Sequence, residues 1–353
     1  MIPWLYRRHF RTGYCIGLIL FALVLRLALS PELPAKAAAG MRRVLSSRWL
    51  FSLALFLETG IKNPDWQEAN LSIPPESPAQ TLSSEPAETV PPTEPEPVRP
   101  TEPEPEPAPL RFSTAEAAGI EIRGNCTYHA DVTELLLAPL NWTRVEGPQV
   151  LIIHTHSCES YTQSDGHTYI PDGNYRTLDK TASVIAVGDR LAEELAARGV
   201  EVIHDRTYND YPSYNRSYAV AREKIQEYLE QYPSIVLVID LHRDALAEPV
   251  REATNLNGTD CAKLMLVVGT DEGGLNHPHW QRNLSCALKL QALANREVPE
   301  LFRPLSFRKE RFNGDLSPGE MIVEVGSTGN TLPEALASMP WLAELLTELL
   351  RVE

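Results

Sequence analysis

Three short stretches of this chain carry side chains able to do chemistry together. They are His154-Thr-His156-Ser-Cys-Glu159, then Asp240-Leu-His242-Arg243-Asp244, then Glu324 with the Val-Gly-Ser-Thr-Gly-Asn330 that follows it. Each ends a short apolar run: Val150–Ile153, Ile235–Ile239 and Met321–Val323. In an extended segment residues i and i+2 point the same way, so His154 and His156 are expected to approach one centre together. Imidazoles and carboxylates drawn from three separate places suit Zn²⁺, which in catalytic sites takes three protein ligands and leaves one position to water. That water is acidified towards neutral pH, and a neighbouring carboxylate can take its proton. One histidine after a strand is usually a structural residue. The coincidence of His154, His156 and His242 with Glu159 and Glu324 is what argues for a metal. His129, His167, His204, His277 and His279 lack that setting and read as surface or loop residues. A nucleophilic site at Ser157 or Cys158 is disfavoured, because no Gly-x-Ser-x-Gly elbow surrounds either and Cys158 has no evident helix N-terminus to activate it.

Elements that would position these residues follow from periodicity. Val150–Ile153, Val200–Ile203, Ile235–Ile239, Ala262–Gly269 and Met321–Glu324 read as strands. Helical spacing runs over Ala182–Arg198 (stopped by Gly199), Tyr214–Tyr232 (closed by Pro233), Asn283–Arg296 and Leu332–Leu350. Alternating strands and helices imply an α/β fold with a mostly parallel sheet flanked by helices. Such sheets gather ligands at the carboxyl ends of their strands.

Upstream the composition changes twice. Residues 1–13 are basic, with Arg7, Arg8 and Arg11, and 14–30 form an apolar run at the short end of what spans a bilayer. A basic flank ahead of the run places the N-terminus in the cytoplasm and the rest outside. This is expected to be a retained transmembrane anchor, the alternative being a signal peptide cleaved near Ala35-Lys36-Ala37. A membrane-proximal segment, 31–63, follows. Residues 64–110 are Pro- and Glu-rich, with ten acids and one base, and should form a disordered, extended linker reaching on the order of 100 Å. Much of the net charge of −15 resides there, so the globular part, 111–353, is only mildly acidic. The balance argues against nucleic acid, whose phosphates reward Lys and Arg. Five scattered cysteines with no CxxC pair exclude a Cys-rich zinc site; a Cys261–Cys286 disulfide is the one pairing left open.

The residues are also familiar as a set. Leu151–Tyr161, Val187-Gly188-Asp189, Ile239–Ala245, Asn313–Pro318 and Glu324-Val-Gly326 with Asn330-Thr331 resemble the stage II sporulation protein P family, in order and spacing, from about residue 120 to the C-terminus. The resemblance implies an amidase-like fold and a zinc-dependent N-acetylmuramoyl-L-alanine amidase. Its substrate would be peptidoglycan, with cleavage of peptide cross-links also reported for the family. It implies action at engulfment from the membrane, with stage II sporulation proteins D and M as partners. On this pattern His242 is the last metal ligand and Glu324 the catalytic carboxylate, shuttling a proton to the leaving amine. Of the paired histidines His156 is favoured over His154, and Glu159 over Asp179 as the carboxylate ligand. Arg243 stabilises the oxyanion or grips a stem-peptide carboxylate, unless it bridges Asp240 or Asp244. Tyr161, Tyr211 and Tyr214 are candidate sugar platforms, with core packing the favoured alternative for any one of them, and Asn313 and Asp315 either line the groove or form a turn before Pro318. The rival functions are a zinc carboxypeptidase acting on stem peptides and a non-catalytic wall-binding module.

Overall fold

A computed structural model describes residues 110–142, 145–246 and 249–352, all within the unit Arg99–Glu353. The anchor, the membrane-proximal segment and the linker expected above lie outside the described residues. No helix among the described residues is long and apolar enough to cross a membrane.

Seven strands form one sheet. In chain order they are β1 (Ile122–Gly124), β2 (Val150–Ile153), β3 (Val202–His204), β4 (Leu237–Asp244), β7 (Leu264–Val268), β8 (Leu305–Phe307) and β9 (Glu320–Ser327), the hairpin β5 (Ala253–Leu256) and β6 (Thr259–Ala262) standing apart. The spatial order is β1-β8-β7-β9-β4-β2-β3. All pairings are parallel except β7 with β9, which run antiparallel. The mostly parallel α/β sheet read from the sequence is therefore present, with one reversal introduced where the β5–β6 hairpin feeds β7.

The two faces of the sheet are covered unequally. Alternating residues such as Ile152, Ile239, Leu241, Val323 and Val325 point to the large core, which is filled by α3 (Val184–Ala197), α5 (Trp280–Glu297) and α6 (Leu332–Leu349). Two short helices, α1 (Thr114–Ala118) and α2 (Val132–Leu137), pack at its margin. The opposite face carries a small core of Leu151, Ile153 and Val238 against Ala221 and Ile225 of α4 (Ser217–Gln231). Sequence explains the helix limits. Ser183 caps α3 by accepting a hydrogen bond from the Ile185 amide, and Gly199, at φ 78°, turns the chain out of it. Thr331 and Glu334 form a capping box at the start of α6. All four described cysteines, Cys261 and Cys286 included, are free thiols, so the disulfide left open above does not form.

Strand β4 outlasts the apolar run, Ile235–Ile239, that the sequence suggests. Ile235 precedes it, and the strand continues through His242 to Asp244. On its α4 side the sequence Val238, Asp240, His242 changes from oily to ionisable. Its neighbour β9 carries Glu320, Ile322 and Glu324 on alternate positions, and the register sets His242 directly beside Glu324. Both residues thus stand within strands rather than after them.

Candidate functional site

The ionisable half of β4 and β9 meets the turn after β2. Extended structure ends at Ile153, and Thr155–Cys158 curl so that the Glu159 amide donates to the His156 carbonyl at 3.3 Å. That turn separates the two imidazoles expected to converge. His154 continues the strand's alternation onto the large-core face, where its Nδ1 donates to the Leu241 carbonyl at 2.8 Å. With the proton on Nδ1, its Nε2 must accept, and His204 Nε2 lies 2.8 Å away as the donor. Burial holds His154 down at about 3, so it is neutral. His204, read as a surface or loop residue, is mostly enclosed; its Nδ1 faces Asp189 at 3.1 Å. The i, i+2 rule fails because the chain stops being extended one residue too early.

Gly188 of α3 lets the helix lie on this histidine pair. A Cβ there would stand 2.5 Å from His204 Nε2 and 2.6 Å from His154 Nε2. Gly188→Ala should therefore destabilise the fold by about 2 kcal/mol or more, despite alanine's better helix propensity. Urea denaturation of the purified protein measures it, and an unchanged midpoint would refute the packing described.

His156 sits on the other face. Its ring stacks on Tyr214 (centroids 4.4 Å, 3° between planes) and meets Tyr218 and His242 edge-on at 5.6 and 5.3 Å. Burial lowers its pKa. Its Nδ1 is enclosed without a hydrogen-bond partner, the nearest carboxylate being Asp210 at 3.9 Å. Asp210 instead anchors the turn, accepting from Ser157 Oγ at 2.8 Å and pairing with Arg176 at 2.9 Å. Burial and Asp210 push the Cys158 thiol up to about 12, which removes it as a nucleophile.

His242 lies between two carboxylates, with Nδ1 3.5 Å from Glu159 and Nε2 2.8 Å from Asp240. Burial alone would lower its pKa, but Asp240 and Glu159 overcome this and hold it well above the ordinary value. Asp240 is itself fixed by the Thr155 amide at 2.7 Å and the Thr155 hydroxyl at 2.6 Å. Burial works against ionising Glu159, yet Arg243 and His242 draw it down to about 2. Glu324 is the opposite case. Burial, with Glu159 and Asp244 nearby, raises it to about 8 despite His242, and its Oε2 has no hydrogen-bond partner.

The remaining expectations resolve as follows. Asp179 is exposed and caps a local turn, accepting from Thr181, so Glu159 is the carboxylate in the cluster. Arg243 bridges neither Asp240 nor Asp244 and is not open to solvent. Its Nε and Nη2 donate to the Ser160 and Tyr175 carbonyls, with Nη1 3.8 Å from Glu159, so it clamps the 159–175 loop. Asp244 pairs with Arg303. Tyr161 is a core residue, 1 % exposed, whose hydroxyl donates to the Val325 carbonyl. Tyr214, 53 % exposed, is the aromatic presented at the site. Asn313 is buried and donates to the Tyr218 carbonyl, while Asp315 receives both arms of Arg222 at 2.8 and 2.7 Å. Asp210 and Tyr218 were not singled out from the sequence, and Asp240, though it stands in the second stretch, was given no role of its own. For Asp240 a signal existed, since it shares the strand face of His242. His277, assigned to the surface, is buried with neither ring nitrogen partnered.

Among the described residues no three His, Cys, Asp or Glu side chains already converge at coordinating distance. The donors nonetheless suit a cation. His156 Nδ1 is enclosed and unpartnered, its ring meets that of His242 edge-on at 5.3 Å, Glu159 lies 3.5 Å from His242 Nδ1, and Asp240 backs the other nitrogen of His242. A carboxylate behind a ligating imidazole is the usual outer-shell arrangement.

Fold and site together define an α/β protein with a histidine–carboxylate cluster at the carboxyl half of its central strands. The chain belongs to the stage II sporulation protein P family, whose sequence model matches residues 77–347. It is 25% identical to "Stage II sporulation protein P" of Bacillus subtilis (strain 168) over 213 residues, covering 57% of this chain and 50% of that protein, so the match spans half the relative's length. Among solved structures it is similar to the CwlD amidase of Clostridioides difficile in complex with the GerS lipoprotein (12% identity, 58% of this chain, 100% of that one, TM-score 0.37). It is also similar to the N-acetylmuramyl-L-alanine amidase Ami1 of Mycobacterium abscessus (12% identity, 58% and 98%, TM-score 0.34).

Proposed function

We propose that the protein is a peptidoglycan hydrolase of sporulation that cuts the N-acetylmuramoyl-L-alanine amide, with zinc held by His156, Glu159 and His242. The observation that carries this reading is the meeting of four side chains from three distant stretches: His156 against His242 at 5.3 Å between rings, Glu159 3.5 Å from His242 Nδ1, and Glu324 paired in register with His242. Family membership supports the role in sporulation. Zinc at this place would supply an electrophile for the amide carbonyl and acidify a water. Glu324 is the group that accepts the water's proton and returns it to the leaving amine nitrogen, a task suited to a carboxyl poised near the working pH. Asp240 orients His242, and Arg243 holds Glu159 and its loop in place. Tyr214, stacked on His156 and open to solvent, forms a wall for the substrate. The apolar run over 14–30 and its basic flank support an anchor with an extracytoplasmic catalytic domain, and the family resemblance supports partnership with stage II sporulation proteins D and M.

The direct test is metal analysis before and after chelation, combined with mass analysis of digested walls. An amidase releases intact stem peptides and leaves peptide-free glycan; products shortened at the peptide end would indicate a carboxypeptidase instead. A quantitative expectation concerns Asp240→Asn. His242 keeps its place but loses the carboxylate behind it, and zinc affinity should fall about 10- to 100-fold. Competition against a chromogenic chelator reads this, and an unaltered affinity would remove Asp240 from the site.

A further inference from the structure

Most donors around the catalytic cluster are committed to protein acceptors. The Thr155 hydroxyl donates to Asp240 at 2.6 Å, that of Ser157 to Asp210 at 2.8 Å and that of Tyr161 to the Val325 carbonyl at 3.1 Å. Arg243, whose charge would suit a developing anion, is turned to Glu159 and to carbonyls of the 159–175 loop. Tyr218 differs. It stands in the first turn of α4 with its ring edge-on to that of His156 at 5.6 Å, and its hydroxyl makes no hydrogen bond among the described residues. The residue is half-buried and borders an open groove of about 620 Å³.

That hydroxyl is free but not loosely held. The Tyr218 carbonyl accepts from Asn313 Nδ2 at 3.0 Å, and its ring lies 5.9 Å from that of Phe312. One turn further along α4, Arg222 places both arms on Asp315 at 2.8 and 2.7 Å. The Asn313-Gly-Asp315 turn marked in the sequence thus fastens the start of α4 beside the cluster. A phenol carries its proton at neutral pH. Burial, with Asp240, Glu324 and Glu159 nearby, keeps it there. These carboxylates accept nothing from the hydroxyl, so the packing of the ring sets its direction. A donor fixed in advance costs no reorganisation when charge develops, and away from bulk water its hydrogen bond is stronger. The Tyr214 hydroxyl is also without a partner among the described residues. Its ring, however, lies flat on His156, has Arg176 over it at 5.1 Å and is 53 % exposed, where water competes for the same bond.

We propose that Tyr218 is a catalytic residue, its hydroxyl donating a hydrogen bond to the carbonyl oxygen of the scissile amide as that oxygen becomes negative. This rests on the reading that the amide lies at the His156–His242 cluster. As the water oxygen bonds to the carbonyl carbon, the C=O π pair moves onto the oxygen, which accepts from Tyr218 while the proton stays on the phenol. When the pair returns, the C–N bond breaks and the nitrogen leaves with the proton that Glu324 took from the water.

The test is Tyr218→Phe in the full chain, assayed on a purified muropeptide with the released stem peptide quantified by mass spectrometry. The substitution removes one O–H and no protein hydrogen bond, so the urea midpoint and the zinc content should match the parent's. The expected result is a kcat lower by about a hundredfold with KM within about twofold. A fall in kcat of less than about tenfold, or a loss confined to KM, makes Tyr218 a packing residue and overturns the proposal. So does a loss of zinc or of stability that accounts for the lost rate, and so does the larger loss appearing in Tyr214→Phe. If the parent itself releases no intact stem peptide, the amidase reading has failed and this assignment falls with it; an active parent with an equally active Tyr218→Phe leaves that reading standing and ends the assignment alone.

Discussion

Replacing Glu324 with Gln is expected to cut wall hydrolysis by roughly a thousandfold, the usual scale for losing a general acid–base group, while the protein still folds and binds metal. The same substitution should stabilise the metal-free protein. In the folded chain burial pushes this carboxyl up to about 8 from an ordinary 4.5. Between those values the folded state keeps a proton that the unfolded state has released, so stability falls as pH rises through that window. Gln has no proton to lose. The advantage of the variant over the parent should be absent below about pH 4.5 and reach on the order of 3 kcal/mol at pH 7. Urea denaturation of chelated parent and variant at pH 4.5 and 7.5 measures it. Parallel behaviour at the two pH values would mean that Glu324 is ionised and solvated, and full activity in Glu324→Gln would remove it from the chemistry.

This double expectation illustrates what was legible in the sequence. Glu324 follows the apolar run Met321–Val323 and His242 lies three residues past Ile235–Ile239, which marks each as a residue near a strand's carboxyl end. The register that sets them side by side comes from the pairing of β4 with β9. Fold class was legible for the same reason, because buried parallel strands are short apolar runs separated by helical periodicity. Three-residue strands such as β1 and β8, and the reversal of β7, were not, since nothing local distinguishes them from loop. The pairing of His154 with His156 failed on where β2 stops, a boundary set by Asp240 and Asp210 holding the following turn from 85 and 53 residues away in the chain. Arg243 failed similarly. Its sequence neighbours are acids, but its partners are Glu159 and two carbonyls of a distant loop. Charge next to charge in sequence says little once a strand sends alternate side chains to opposite faces.

His242→Ala should have the largest effect on the metal, taking zinc from about one per chain to below about a tenth, because an alanine supplies no donor and the two remaining ligands form an incomplete set. The cost to the metal-free fold should be large as well. Removing the imidazole leaves Glu159 and Asp240, both buried, without the cation between them, and breaking such an arrangement costs about 3–5 kcal/mol. The pH dependence runs opposite to that of Glu324→Gln. A histidine whose pKa is raised on folding stabilises fully below its unfolded value of 6.5, and that stabilisation is lost as pH climbs through the folded value. The gap between parent and His242→Ala should therefore be wide at pH 6 and narrow progressively in alkali. Stoichiometric zinc in the variant would end the assignment of the ligands. A gap independent of pH would show that the imidazole packs as a neutral ring and that the carboxylates on either side are balanced by other groups.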